Sequence, residues 1–209
     1  MDNTSLMISL LGALRREMNG AVADAMHYYG KRYGLNYGVS LPTIRTIAAE
    51  QPTNNSLALY LYKQDVRELR LAALHIADRS IFEQDEATWR EGISTSEIAE
   101  EMAFALLCKV ESLPDIFHRW VASEQEFVVY AALMAAARAH QAMQGESLEP
   151  VINIVTRHSS SRIVAQGVVA LLATAVINNR TSEVKAVIER LPDVQIKDYI
   201  ADEISWRME

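Results

Sequence analysis

Glu97, Glu100 and Glu101 fall within one predicted helix at positions i, i+3 and i+4, so their carboxylates share one stripe of its surface. Such a group can hold a metal ion, stabilise a developing positive charge, or keep a helix face hydrated. No histidine lies at helical spacing on the stripe, which argues against a metal site. Three acids side by side would oppose DNA more than assist it. The pattern therefore reads as a solvated helix face, with Glu100 and Glu101 as the candidate catalytic carboxylates.

A second group is basic and aromatic. Lys31, Arg32, Arg45, Lys63, Arg67, Arg70 and Arg79 concentrate in the N-terminal third, and Tyr28, Tyr29, Tyr33 and Tyr37 are interleaved with the first of them. Lysine and arginine track a phosphate backbone while tyrosine rings stack on bases, so this segment suits nucleic acid. The competing structural reading has the tyrosines packing a hairpin between helices and Arg45 and Glu68 forming ion pairs. Net charge favours the structural reading. The chain carries −7, with nine bases against seven acids in residues 1–80 and eleven acids against three bases in residues 82–127. That is weak steering for a polyanion.

The remaining reactive types are scattered. His27, His75, His118, His140 and His158 show no ligand or triad spacing, and His75 sits in an apolar helix as a hydrogen-bonded packing residue. Ser159, Ser160 and Ser161 lack the glycines of a nucleophile elbow and read as a helix cap. Cys108, the single cysteine, lies among Phe104, Leu106 and Leu107 and reads as a core thiol. Trp89, Trp120 and Trp206 read as packing anchors. No cofactor or metal is implied. The apolar stretch from Leu6 ends at Arg15 and Arg16, too short for a membrane span. A cytoplasmic protein is expected.

These residues must be positioned by helices. Half of the 209 residues are hydrophobic but only 7% are aromatic, and alanine and leucine dominate, which favours closely packed helices. Asn19-Gly20, Pro52 to Asn55, Gly145 and Asn178-Asn179 mark breaks. Ser40 caps a helix with Pro42 in its first turn. Ser94 with Glu97, and Ser123 with Glu126, fit the capping-box pattern. The segments 70–77, 129–136 and 165–172 all set small residues before bulky ones, and 100–107 fits less well. Their separations of about 30 to 36 residues suit stacked helical pairs. Gly167, inside one of them, predicts close approach of a neighbouring helix. The expectation is a single all-α domain over 1–209, a curved α-solenoid of helical repeats.

The run Tyr29-Gly30-Lys31-Arg32-Tyr33-Gly34-Leu35-Asn36-Tyr37-Gly38-Val39-Ser40-Leu41-Pro42-Thr43-Ile44-Arg45 resembles the opening of the AlkD-like DNA alkylation repair family. The segment 61–74, with Glu68, resembles that family's second repeat, and Trp120 to Ser123 followed by Phe127, Ala131 and Ala132 its central repeat. The resemblance implies HEAT-like repeats in an armadillo-type superhelix and, in active members, excision of alkylated purines from DNA. It also implies a tryptophan followed one turn later by an aspartate near the helix at Ser94, and an arginine in the central repeat. Here Ser96 to Met102 offers neither tryptophan nor aspartate, and Tyr130 stands where the arginine is expected. Developing oxocarbenium charge needs a fixed carboxylate, aromatic walls and a phosphate clamp. The chain is thus expected to be a non-catalytic scaffold, a pseudoenzyme, binding DNA, a protein or a peptide in a concave groove. The alternatives are a glycosylase for N3- or N7-alkylated purines using Glu100 or Glu101, and an oligomeric structural protein.

Overall fold

The computed structural model describes residues 2–29 and 33–208. The chain divides into two compact units, Met1–Glu101 and Met102–Glu209. Among the described residues both are helical without strands. No helix among them is long and apolar enough to cross a membrane.

The first unit contains α1 (Asn3–Arg16), α2 (Gly20–Tyr28), α3 (Leu41–Ala49), α4 (Asn55–Tyr62), α5 (Arg67–Ile76), α6 (Glu86–Glu91) and α7 (Ser96–Glu101), with a 3-10 segment at Arg79–Asp85. Local chemistry sets most of the starts. The side chains of Asp2, Asn19, Ser40 and Asn54 each accept a hydrogen bond from a first-turn N–H, satisfying donors that lack an intrahelical partner. Asn19 therefore opens α2 rather than closing α1. The capping box expected at Ser94 does not form. Thr95 caps α7, its Oγ1 accepting from the Ile98 N–H (3.3 Å), and Ser94 Oγ instead accepts from Arg70.

α5 is the centre of this unit. It packs against α3, α4 and α7 and buries Leu69, Leu71, Ala72, Ala73, Leu74 and Ile76. Its small residues let the neighbours approach, as their spacing predicts. Trp89 and Tyr62 complete the core, their ring centroids 4.9 Å apart, and Tyr62 Oη donates to the Trp89 carbonyl (3.0 Å).

The second unit opens with a π-helical turn (Met102–Leu106) and a 3-10 turn (Leu107–Lys109). It continues with α8 (Leu113–Val121), α9 (Glu126–Arg138), α10 (Pro150–Arg157), α11 (Arg162–Ile177), α12 (Thr181–Glu189) and α13 (Lys197–Met208). α9 and α11 form its core pair. A Cβ on Gly167 would lie 3.0 Å from Leu133 Cβ and 3.1 Å from the Tyr130 ring, the close approach expected of a mid-helix glycine. The fourth similar segment, 100–107, departs from the others because it carries the π turn. Ser123 does not form a capping box, accepting instead from the N–H of Gln125 (3.1 Å). Trp120 is buried, but Trp206 is 76% exposed and anchors nothing. Cys108 is only half-buried, its thiol donating to the Phe104 carbonyl.

Candidate functional site

The acidic stripe points inward. Glu97 and Glu101, one turn apart on α7, face α3 and α5. The Glu101 side chain is 2% exposed and that of Glu97 11%. The expected solvated face is therefore corrected: Glu100 alone of the three is exposed. Buried carboxylates need partners, because desolvation of an unpaired charge costs several kcal/mol, and α3 and α5 supply them.

Arg67, at the first position of α5, is 1% exposed. Its Nε donates to Glu97 Oε2 (2.8 Å) and its Nη2 to Glu97 Oε1 (2.6 Å), a two-pronged pair that matches guanidinium to carboxylate. Its Nη1 donates to the Val39 carbonyl (2.8 Å) and to Glu68 Oε1 (3.0 Å). Tyr33 Oη donates to Glu97 Oε2 (2.5 Å). Burial works against the Arg67 charge, but the bonds to Glu97 more than restore it, so its pKa is raised. Burial, and then the bond to Glu97, pushes the Tyr33 hydroxyl well above the usual tyrosine range.

One turn further along α7, Glu101 is held by a second set. Arg45 of α3 donates Nε to Oε1 (2.9 Å) and Nη2 to Oε2 (2.6 Å). His75 Nε2 donates to Oε1 (2.5 Å). Burial alone would push the carboxyl up, yet the hydrogen bonds from His75 and Arg45 outweigh it and hold Glu101 at about 2. The same contact raises the Arg45 pKa.

Glu68 organises the loop ahead of α3. Its carboxylate accepts from the backbone N–H groups of Tyr37 (3.1 Å) and Val39 (3.3 Å). Leu35 forms a short parallel bridge with Val66, and its carbonyl takes the Arg67 N–H (2.9 Å). That bond replaces the side-chain cap that α5 lacks. Gly38, at φ +70°, brings the loop so close to α2 that a Cβ would meet the Asn19 carbonyl oxygen at 2.1 Å. Glu68, Arg67 and Glu97 thus join the loop to α5 and α7, and a separate set, Arg45, Glu101 and His75, ties α3 to α5 and α7.

The basic residues separate into two kinds. Arg67 is buried. Arg70 is half-buried, donating to the Gln64 carbonyl and to Ser94 Oγ (both 3.0 Å). Arg45 stays 45% exposed despite its pairing, and Lys63 is exposed. Lys31 and Arg32 lie outside the described residues. Tyr130 is buried in the second unit, on α9. Arg45 does form an ion pair, but with Glu101, while Glu68 pairs with Arg67. Sequence reading missed His75 as a partner of Glu101. The available signal was complementary charge on two helices: Arg67 and His75 lie two turns apart on α5, and Glu97 and Glu101 one turn apart on α7.

The model of a family described as DNA alkylation repair enzymes matches residues 10–201. The chain belongs to that family. None of the curated protein sequences matches it significantly. A solved structure superimposes with a TM-score of 0.71 at 17% identity, covering 99% of this chain and 95% of that one. It comes from work on a new family of proteins related to the HEAT-like repeat DNA glycosylases, with affinity for branched DNA structures. At that identity the likeness shows the fold, which is the all-α HEAT-like repeat architecture expected. Two of the three glutamates of α7 face the interior of the first unit.

Proposed function

We propose that this family member binds DNA, branched DNA in particular, without cleaving a glycosidic bond. The observation that carries the reading is the engagement of Glu101. Both of its oxygens are taken by Arg45 and His75, and both oxygens of Glu97 by Arg67. A carboxylate neutralised by its own protein offers little field to an oxocarbenium ion, whose stabilisation depends on preorganised charge aimed at the substrate. The affinity of the structural relative for branched DNA supports this choice of ligand, and Lys63 and Arg45 are the exposed cations proposed to meet it.

The test pairs two measurements on the whole chain. Duplex DNA bearing N7- or N3-methylated purines should show no base release above the uncatalysed rate. A fluorescently labelled four-way junction should bind more tightly than its matched linear duplex. Base release that Glu101→Gln or Glu100→Gln abolishes would overturn the non-catalytic reading. Equal or absent binding to both DNAs would overturn the branched-DNA reading.

A further inference from the structure

We infer that Tyr28 and Tyr29 form a stacking surface for an unpaired nucleotide base, by which the chain distinguishes branched from continuous DNA. The inference rests on the proposed function and names its recognition element.

The tyrosines of the first unit differ sharply in occupation. Tyr33 bonds Glu97, Tyr62 bonds the Trp89 carbonyl, and the Tyr37 ring lies beneath the Arg15 guanidinium at 5.8 Å. Tyr28 and Tyr29 are 83% and 78% exposed. Among the described residues neither hydroxyl has a hydrogen-bond partner. They touch each other edge-to-face, with centroids 5.3 Å apart and planes at 84°. They stand at the C-terminal end of α2, a helix with no buried residue, so core packing does not explain them. An edge-to-face pair offers ring faces in two directions, and every base has a π face to meet one.

Charge selects the occupant. In sequence, residues 15–32 carry Arg15, Arg16, Lys31 and Arg32 against Glu17 and Asp24, a cationic balance in a chain that is acidic as a whole, with Lys31 and Arg32 outside the described residues. Aromatics interleaved with cations along the sequence suit a polyanion carrying flat bases. In duplex those base faces are covered by their neighbours, whereas a branch point or gap uncovers them.

The experiment uses a four-way junction with one unpaired 2-aminopurine at the branch, and the matched duplex. Wild type should quench the 2-aminopurine on binding. Tyr28→Ala/Tyr29→Ala should lose the quenching and about 5- to 150-fold in junction affinity per stacked base, with duplex affinity unchanged. Tyr28→Phe/Tyr29→Phe should keep both. Both sites are exposed, so the circular dichroism spectrum should not change. Wild-type junction binding that the alanine variant matches would overturn this inference and leave the proposed function standing. A wild type that binds no DNA would overturn both. Binding to anionic lipid vesicles that the alanine variant loses, with junction binding intact, would assign the tyrosines to a membrane surface and overturn the inference.

Discussion

Arg67→Met removes the side chain on which the polar network of Glu97, Glu68 and the loop ahead of α3 converges. Methionine approximates the aliphatic stem of arginine, so the cavity term is small and the change isolates the guanidinium. Four hydrogen bonds disappear with it, two to Glu97, one to Glu68 and one to the Val39 carbonyl. Summing them would overcount, because the arginine is itself desolvated at 1% exposure and neutral methionine avoids that cost. What decides the outcome is the stranding of Glu97 and Glu68. Removing one partner of a buried ion pair costs roughly 3–5 kcal/mol. With a urea dependence of about 2 kcal/mol per molar, the midpoint should fall by roughly 1.5–2.5 M. Pairing the change with Glu97→Gln tests the mechanism. The double variant should be more stable than the sum of the two losses predicts, by well over the roughly 0.5 kcal/mol within which independent sites add. A loss under about 1 kcal/mol for Arg67→Met, or an additive cycle, would refute a network held together by its charges.

Three further outcomes follow from the same geometry. Glu101 has its folded value at about 2, below the ordinary 4.5, so its contribution is complete above pH 4.5 and is lost as pH falls towards 2. Urea unfolding at stepped pH should show the gap between wild type and Glu101→Gln closing across that window, and a constant gap would count against the assignment. Gly38→Ala puts an L-residue at φ +70° and a Cβ 2.1 Å from the Asn19 carbonyl, so it should cost at least about 1–3 kcal/mol, read as a lowered urea midpoint. In junction-binding titrations, Lys63→Ala should reduce the slope of log affinity against log salt by about 1, whereas Arg67→Lys should leave it unchanged because Arg67 is buried.

The helices were legible where backbone and side chain cooperate locally. Ser40 and Ser161 each accept from the N–H three residues on, a partner that the primary structure itself brings into reach. Gly167 announced the α9–α11 contact because a mid-helix glycine needs a tertiary reason. The capping boxes failed for the opposite cause. Ser94 and Glu97 have the right spacing, but Glu97 is engaged by Arg67 in a tertiary ion pair, and Thr95 takes over the capping. Helical spacing told that Glu97 and Glu101 share a face. It could not tell which way the face points, since a charged stripe looks the same whether water or arginine answers it.

That ambiguity bears on how function is read in this family. A carboxylate near the start of α7 is informative only together with what surrounds it. Facing substrate it would be an electrostatic catalyst. Facing Arg45 and His75, one turn from a second carboxylate bound to Arg67, it ties α7 to α3 and α5. The two roles compete for the same charge, because each hydrogen bond from the protein that lowers the carboxyl's pKa also cancels field that a cationic transition state would feel. Glu101 has three such bonds. The contribution of α7 is accordingly to tie α3 and α5 together within the first unit, which agrees with the proposed binding of DNA without chemistry on it.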